Sequence, residues 1–471
     1  MSELPEGWIE TTLGAITHPI TSVRPEAEPE KVFDYIDIGC IDNLALKIVG
    51  KKSYRGDEAP SRARRLIKEG DVLFSTVRTY LRNIATVTVE LDGAITSTGI
   101  TVLRANDAAE PRYIFAFVSS TDFAESISKS QDGTMYPAVA DRDVFEHPIP
   151  LPPLAEQRRI AEKLDALSAQ SRAAVTALTR IEALITSYKA AVLASAVRGR
   201  MTNDWREAND VLTVSERLTG YTPPEQPRGG REASDTVLDG VGGLALNIPE
   251  RALPKGWEWV SLNHLARQET GHTPSRSKSQ YWDGGIPWIG IKDARLHHGR
   301  EIFETLQTVT QLGLDNSASR LLPKGTVCLS RTASVGYVFI MGRDMATSQD
   351  FVTWTCGELL LPKYLMYALM GEGDEIRRFG KGTTHTTIYF PEVRAMHIAL
   401  PPLEEQAEIV TRIEAAFSQI ETLSRAAAAA RVRLSALDRA ILARAFKGKL
   451  VPQDPNDEPA SELLKRVKDA C

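Results

Sequence analysis

From Leu154 to about Val197 the chain has neither proline nor glycine, and apolar residues return at alternating steps of three and four. The series runs Ile160, Leu164, Leu167, Ala174, Leu178, Ile181, Ile185, Tyr188 and Val192, with Leu154 at its head. Ser171 and Ser195 are the polar interruptions. A shift of 249 residues gives a second series: Leu403, Ile409, Ile413, Ala416, Ile420, Leu423, Ala427, Ala430, Leu434, Leu437 and Ile441. A heptad seam sustained over more than four heptads predicts a long helix in each copy. Each helix would be about 66 Å long. Arg198-Gly199 and Lys447-Gly448 are the predicted stops, with a cation at the negative end of the helix dipole. Two copies of one seam predict that the helices pair with each other; the plainer alternative is that each lies on its own domain.

Ahead of each helix the pattern changes to short apolar runs bounded by glycine or polar turns, which predicts mixed α/β structure. In the first copy these runs are Tyr35–Ile38, Asp71–Ser75 and Ile100–Leu103, with a helix starting after Pro111. Their counterparts are Ile286–Gly290, Thr326–Ser330 and Phe351–Thr355, with a helix after Pro362.

The repetition extends to the motifs. Leu4-Pro5-Glu6-Gly7-Trp8 returns as Leu253-Pro254-Lys255-Gly256-Trp257, and Leu151-Pro152-Pro153-Leu154-Ala155-Glu156-Gln157 returns as Leu400-Pro401-Pro402-Leu403-Glu404-Glu405-Gln406. Such a period is far longer than the roughly 20–50 residues of a solenoid unit, so a whole domain with its helix has been duplicated. Within the globular parts the offset varies. Gly39 and Gly290 lie 251 apart, and Gly70 and Gly325 lie 255 apart. Loop lengths therefore differ on a shared framework, which suits one scaffold with two different binding surfaces. The prolines predict an extended approach to each helix, and Glu156 and Glu405 then fall in the first turn, near the positive dipole end.

The predicted order is a globular domain over 1–150, a long helix over 151–200, a flexible linker over 201–252, a second domain over 253–399, a second helix over 400–449 and a tail over 450–471. The fold class is α+β: two mixed α/β domains alternating with two long helices that pair as an antiparallel coiled coil, pseudo-two-fold, with a domain at each end of a rod. Pro223-Pro224 and Gly240-Val241-Gly242-Gly243 mark the linker.

Composition narrows the function. Hydrophobic residues make up 42% and charged residues 25% of 471, ordinary for a globular protein. The acidic start and the absence of a long apolar run point to a cytoplasmic protein. Four scattered cysteines, with no CxxC pair, fit reduced thiols rather than a disulfide or zinc framework. A net charge of −5 requires any nucleic-acid contact to come from local basic patches. No catalytic or metal motif appears. Gly380-Lys381-Gly382-Thr383 resembles a phosphate loop, but Glu375 stands where its first glycine belongs. No cofactor is expected in this chain.

Candidate contacts to DNA gather on predicted loops. The first domain offers Arg62, Arg65, Arg78, Thr79, Tyr80, Arg82 and Thr134; the second offers Arg276, Lys278, Arg331, Thr332, Lys381 and Thr383. Arginine reads guanine edges with paired hydrogen bonds, and lysine and hydroxyl groups hold phosphates. Each residue taken singly also fits a solvated surface charge. Candidate helix-pairing or partner residues are Leu154, Ile160, Leu164, Leu167, Leu178, Ile181, Ile185, Leu403, Ile409, Ile413, Ile420, Leu423, Leu434 and Leu437.

In this duplicated order, Leu-Pro-x-Gly-Trp, Leu-Pro-Pro-Leu-x-Glu-Gln and the Gly-Arg/Lys helix end resemble the specificity subunit of type I restriction-modification systems over nearly the whole chain. The resemblance implies two target-recognition domains, each reading half of a split double-stranded DNA sequence. It also implies two methyltransferase subunits, which would carry S-adenosylmethionine, and a motor–nuclease restriction subunit as partners. A structural tether whose domains bind proteins, or an unrecognised enzyme, are the alternatives.

Overall fold

Each domain closes on itself where it begins and ends. The structure, a computed structural model, describes residues 4–129, 138–227, 244–247, 252–332, 334–380 and 386–469. It divides into two units, Met1–Thr179 with Ala428–Cys471, and Arg180–Ala427. In the first unit the strand Ile9–Thr12 pairs antiparallel with Pro148–Leu151, the strand that leads into the first long helix. In the second, Glu258–Ser261 pairs antiparallel with Met396–Leu400.

Between these pairs lies the predicted mixed structure. The first unit has a four-stranded antiparallel sheet in the order Thr17–His18, Ile100–Ala105, Val72–Ser75, Ile84–Thr86. The helix Pro111–Val118 packs on it. The second unit repeats this core as Ala266–Thr270, Phe351–Cys356, Val327–Ser330, Val338–Met341, with Glu301–Ile302 added at the edge and the helix Pro362–Gly371 alongside. Each central strand of four apolar or small residues is buried along its whole length, which is why it reads as a continuous run rather than an alternating one.

The long helices run Leu154–Val197 and Leu403–Ala445. Within each unit they pair antiparallel. In the first, Ser171 Oγ donates to Asp438 Oδ1 at 2.5 Å and Arg431 donates to Thr179 Oγ1 at 3.2 Å, so one helix ascends as the other descends. In the second, Lys189 lies over Phe417 and Val192 shares a core with Ile409 and Ile413. Ile160, Leu164, Ile409, Ile413 and Ile420 are buried as expected, and Leu154, Leu167, Leu178, Ile185, Leu403 and Leu434 are half-buried. Ile181, Leu423 and Leu437 depart from the expected seam and are exposed at 40%, 58% and 54%. The seam positions before and after each of them stay covered, so the departures are local. Asp438, not Leu437, meets the partner helix.

The repeated motifs meet at one junction per unit. Trp8 Nε1 donates to Glu156 Oε2 and Trp257 Nε1 to Glu405 Oε2, both at 2.9 Å, and both carboxylates are buried. The neighbouring glutamines act as clamps. Gln157 accepts from Glu110 N and donates to the Ala108 and Pro152 carbonyls. Gln406 accepts from Leu361 N and donates to the Leu359 and Pro401 carbonyls. Leu-Pro-Pro-Leu-x-Glu-Gln is thus a hydrogen-bonding device as well as a bend.

The far ends of the helices return to the same junctions. Gly199, at φ +66°, packs so tightly that a Cβ would lie 2.5 Å from Pro254 Cγ; at Gly448, φ +64°, it would lie 2.3 Å from Pro5 Cγ. Only glycine fits both the backbone and the space.

The expected flexible linker is folded through residue 227. It holds the helices Asn203–Ala208 and Val214–Leu218, the second begun by a Thr213/Glu216 capping box. Gln226 then bonds Asn263 O and Ala266 O and accepts from Gln268 N. The tail likewise forms a helix, Ala460–Asp469. Val214 N donates to Gly256 O and Ala460 N to Gly7 O, both at 3.0 Å. The linker and tail are therefore a third repeated element. Its trace in the sequence is Ser215-Glu216-Arg217-Leu218 against Ser461-Glu462-Leu463-Leu464, at an offset of 246.

The two junctions differ in charge. Glu405 Oε1 accepts from Thr202 Oγ1 and Arg206 Nη2, both at 2.7 Å. Glu156 Oε1 has no hydrogen-bond partner among the described residues. Burial holds the Glu156 carboxyl above the ordinary glutamate value, against the opposing pull of Trp8 and Arg159. Glu405→Ala strands the Arg206 guanidinium and the Trp257 N–H, and is expected to lower unfolding free energy by about 3–5 kcal/mol. Glu156→Gln keeps an acceptor for Trp8 and removes a carboxyl that resists ionisation. Because the folded-state value is raised, wild-type stability relative to that variant falls as pH climbs past the reference value of 4.5. Thermal melts of both proteins between pH 4.5 and 8 measure this, and parallel pH profiles would refute it.

Candidate nucleic-acid interface

A side chain can contact DNA only if it reaches solvent, and the structure divides the candidates on this point. Arg65 is held by the chain itself. Its Nη1 donates to Ile100 O at 2.6 Å, and both terminal nitrogens engage the Asp141 carboxylate, which also accepts from Thr101 Oγ1. Arg82 donates to Ser119 O, and Thr79 is buried and shares a hydrogen bond with Ser128 Oγ at 3.0 Å. Arg331 donates to Gln349 O at 3.0 Å and lies 4.6 Å over the Phe390 ring. Burial pushes the Arg82 and Arg331 guanidinium values down. These arginines tie loops to the body of each domain by satisfying carbonyls, a role that residue type and strand-end position could not separate from DNA contact. Thr332 is half-buried and accepts from Thr387 Oγ1 at 3.1 Å.

Arg62, Arg78, Tyr80, Arg276 and Lys278 do face solvent. Arg78 and Arg82 both adopt the left-handed conformation, at φ 52° and 55°, flanking the short turn Thr79–Leu81. With Thr79 anchored below, that turn lifts Tyr80 to 59% exposure. Thr134, Lys381 and Thr383 lie outside the described residues.

Sequence reasoning missed the neighbour of this turn. Asn43 Nδ2 donates to Leu81 O at 2.9 Å, joining the turn to the hairpin Ile41–Asp42/Lys47–Ile48, whose tip carries Leu44 at 92% exposure. It also missed a cavity in each unit. One of about 600 Å³ is lined by Thr17, Ile20, Arg65, Thr98, Asp141 and Phe145. One of about 430 Å³ is lined by Gln268, Thr270, Arg320, Arg331, Gln349 and Phe390. Arg65 and Arg320 lie 255 residues apart, the offset of Gly70 and Gly325, so the framework repeats the hollow as well as the strands. Among the described residues, no group of three or more His, Cys, Asp or Glu side chains is placed to hold a metal, and no helix is long and apolar enough to cross a membrane.

This division is testable in the free protein. Arg65→Ala and Arg331→Ala are expected to lower the thermal midpoint, each removing about 1.5–3 kcal/mol of hydrogen bonding by a charged group. Arg62→Ala changes stability by no more than about 0.5 kcal/mol, as surface substitutions do. The reverse order in calorimetry would refute the assignment.

Comparison with known proteins agrees with the geometry. The family described as "Type I restriction modification DNA specificity domain" matches residues 7–183 and 254–428. The HindI specificity subunit of Haemophilus influenzae is 25% identical over 369 residues, covering 73% of this chain and 78% of that protein. The EcoKI specificity subunit of Escherichia coli is 24% identical over 388 residues, covering 78% and 73%. Among solved structures, a chain from a study of complex assembly and conformational transition of the type I R-M system is 30% identical. It covers 96% of this chain and 100% of its own, with a TM-score of 0.74. The HsdS subunit from Thermoanaerobacter tengcongensis is also 30% identical, covering 95% and 98%, with a TM-score of 0.60. The chain belongs to the type I restriction-modification DNA specificity family and carries two copies of its domain.

Proposed function

We propose that this chain supplies DNA sequence specificity to a type I restriction-modification complex and performs no catalysis itself. Each domain reads one half of a bipartite, asymmetric target in duplex DNA. The paired helices set the gap between the halves. Two methyltransferase subunits, which bring S-adenosylmethionine, and motor–nuclease subunits join this chain to modify or cut the DNA.

The observation that carries this reading is the contrast between repeated frame and unrepeated surface. Both domains use the same strand order, the same Trp–Glu junction and the same glutamine clamp. Their solvent-facing groups differ. The first presents Arg78, Tyr80 and Leu44; the second presents Arg276 and Lys278 on a loop the first does not repeat. Two different half-sites call for that combination. The helices add docking surface. In the first unit they expose Val175, Val432 and Leu437; in the second, Ile181, Leu184, Tyr188 and Leu423. Exposed apolar bands on helices suit protein partners. Such partners also account for an acidic chain acting on DNA, because they bring phosphate-contacting cations of their own.

Expressed with its neighbouring genes in a methylation-free host, the chain is expected to direct adenine methylation to one bipartite motif, read by long-read sequencing and lost when this gene alone is deleted. Exchanging residues 1–150 for another recognition domain changes one half-site only. Adding about four residues, one helical turn, at matching points of both helices changes the gap and preserves both half-sites. Absence of new methylation from an assembled complex would overturn the proposal.

A further inference from the structure

The loop His272–Tyr281 carries an arginine whose position is fixed before any ligand arrives. Two tryptophans staple the loop to the three-stranded sheet: Trp288 Nε1 donates to His272 O at 3.1 Å and Trp282 Nε1 to Ser275 O at 3.2 Å. Thr273 Oγ1 adds a bond to Gln349 Oε1 at 2.7 Å. The indoles stand edge to face with centroids 5.1 Å apart. Over them lies the Arg276 guanidinium, its Cζ 4.2 Å from the Trp282 ring and 5.2 Å from the Trp288 ring. Arg276 Nη1 donates to Gln307 Oε1 at 3.1 Å, and Gln307 is the cross-strand partner of Trp288.

This arrangement leaves Arg276 with one defined set of donors. Its face is occupied by indole and its Nη1 by Gln307. Among the described residues the guanidinium makes no other hydrogen bond and no ion pair, so the edge formed by Nε and Nη2 is open. Two parallel N–H groups on one edge match the O6 and N7 acceptors of guanine in the major groove. Stacking and the Gln307 bond order the long side chain in advance, which lowers the entropy lost on binding and makes the direction of the fork specific.

Among the described residues the first domain shows no equivalent. Counted from Gly39 and Gly290, Asp37 stands where Trp288 stands; at the 249-residue offset, Ala27 stands for Arg276. The device sits on repeated framework but in one domain only, as a half-site-specific reader must.

Resting on the function proposed above, we infer that Arg276, held by Trp282, Trp288 and Gln307, reads a guanine in the half-site recognised by the second domain.

The test compares wild type, Arg276→Ala and Arg276→Lys, each co-expressed with the partner subunits, by mapping methylated motifs. Both variants are expected to relax one G·C position of the second half-site, with discrimination there falling about ten- to hundred-fold. The first half-site and the gap stay as in wild type. Lysine keeps the charge but not the fork, so it rescues a phosphate contact and not a guanine contact. Arg276→Lys matching wild type, with Arg276→Ala lowering methylation evenly at every site, would assign the residue to backbone binding and overturn the inference. Unchanged motifs in both variants would overturn it too, while the bipartite wild-type motif would leave the specificity function standing. If wild type produced no bipartite motif, the function and the inference would fall together.

Discussion

The hydrogen bond from the indole at the start of each domain to the carboxylate at the start of its helix is the contact on which the rest depends. It ties Trp8 to Glu156 and Trp257 to Glu405 across 148 residues of chain in both units. Beside it, the first and last strands of the domain pair, and the glutamine clamp fixes the approach to the helix. A buried carboxylate demands hydrogen bonds, so the site tolerates little displacement. That intolerance is useful where a long helix departs. Over about 66 Å of helix, a 10° change in exit angle would move the far end by about 11 Å, roughly three base-pair steps at about 3.4 Å each. Helices that set a gap, as proposed above, need that angle fixed at their origin.

How much of this could be read from the sequence depended on how many residues carried each signal. The central strands Val72–Ser75 and Val327–Ser330, the helices after Pro111 and Pro362 and the two long helices were legible because several residues voted for each. The middle of the seam was less so. Ile181, Leu423 and Leu437 obey the heptad count, yet they are exposed while the seam positions on either side are covered, a local difference that spacing alone does not carry. In the part of the expected linker that is described, through residue 227, its prolines outweighed Ser215-Glu216 and Leu218, a short match displaced from the main offset, while residues 240–243 lie outside the described residues. The arginines were least legible. Arg62 and Arg65 look alike in sequence; what separates them is whether Ile100 O and Asp141 lie within reach, and that is decided by strands far along the chain.

Duplication left the two junctions electrostatically unequal. Glu405 keeps a cation, Arg206, from the segment that follows the first helix. At the first junction the tail brings Asp457, which binds Arg159 instead and adds negative charge near Glu156. At this junction no cation hydrogen-bonds the Glu156 carboxylate, and its Oε1 has no hydrogen-bond partner among the described residues. The Glu405 carboxylate, in contrast, accepts from both Thr202 and Arg206.

A frame built from buried charges and hydrogen bonds also explains where the two domains were free to part. Replacing Arg65 alone would leave Asp141 only its Thr101 bond, and replacing Gln157 alone would strand three backbone groups; each single change is unfavourable. Exchanging Ala27-like and Arg276-like positions on a solvent-facing loop removes no buried partner. Divergence after duplication is thereby steered to the loops by energetics, before any selection for a new target acts. The Trp282–Trp288 platform shows the limit of that freedom. An exposed arginine becomes a precise reader only where it gains new support, and here the support is drawn from the sheet beneath, through strand positions the repeated frame already held in register.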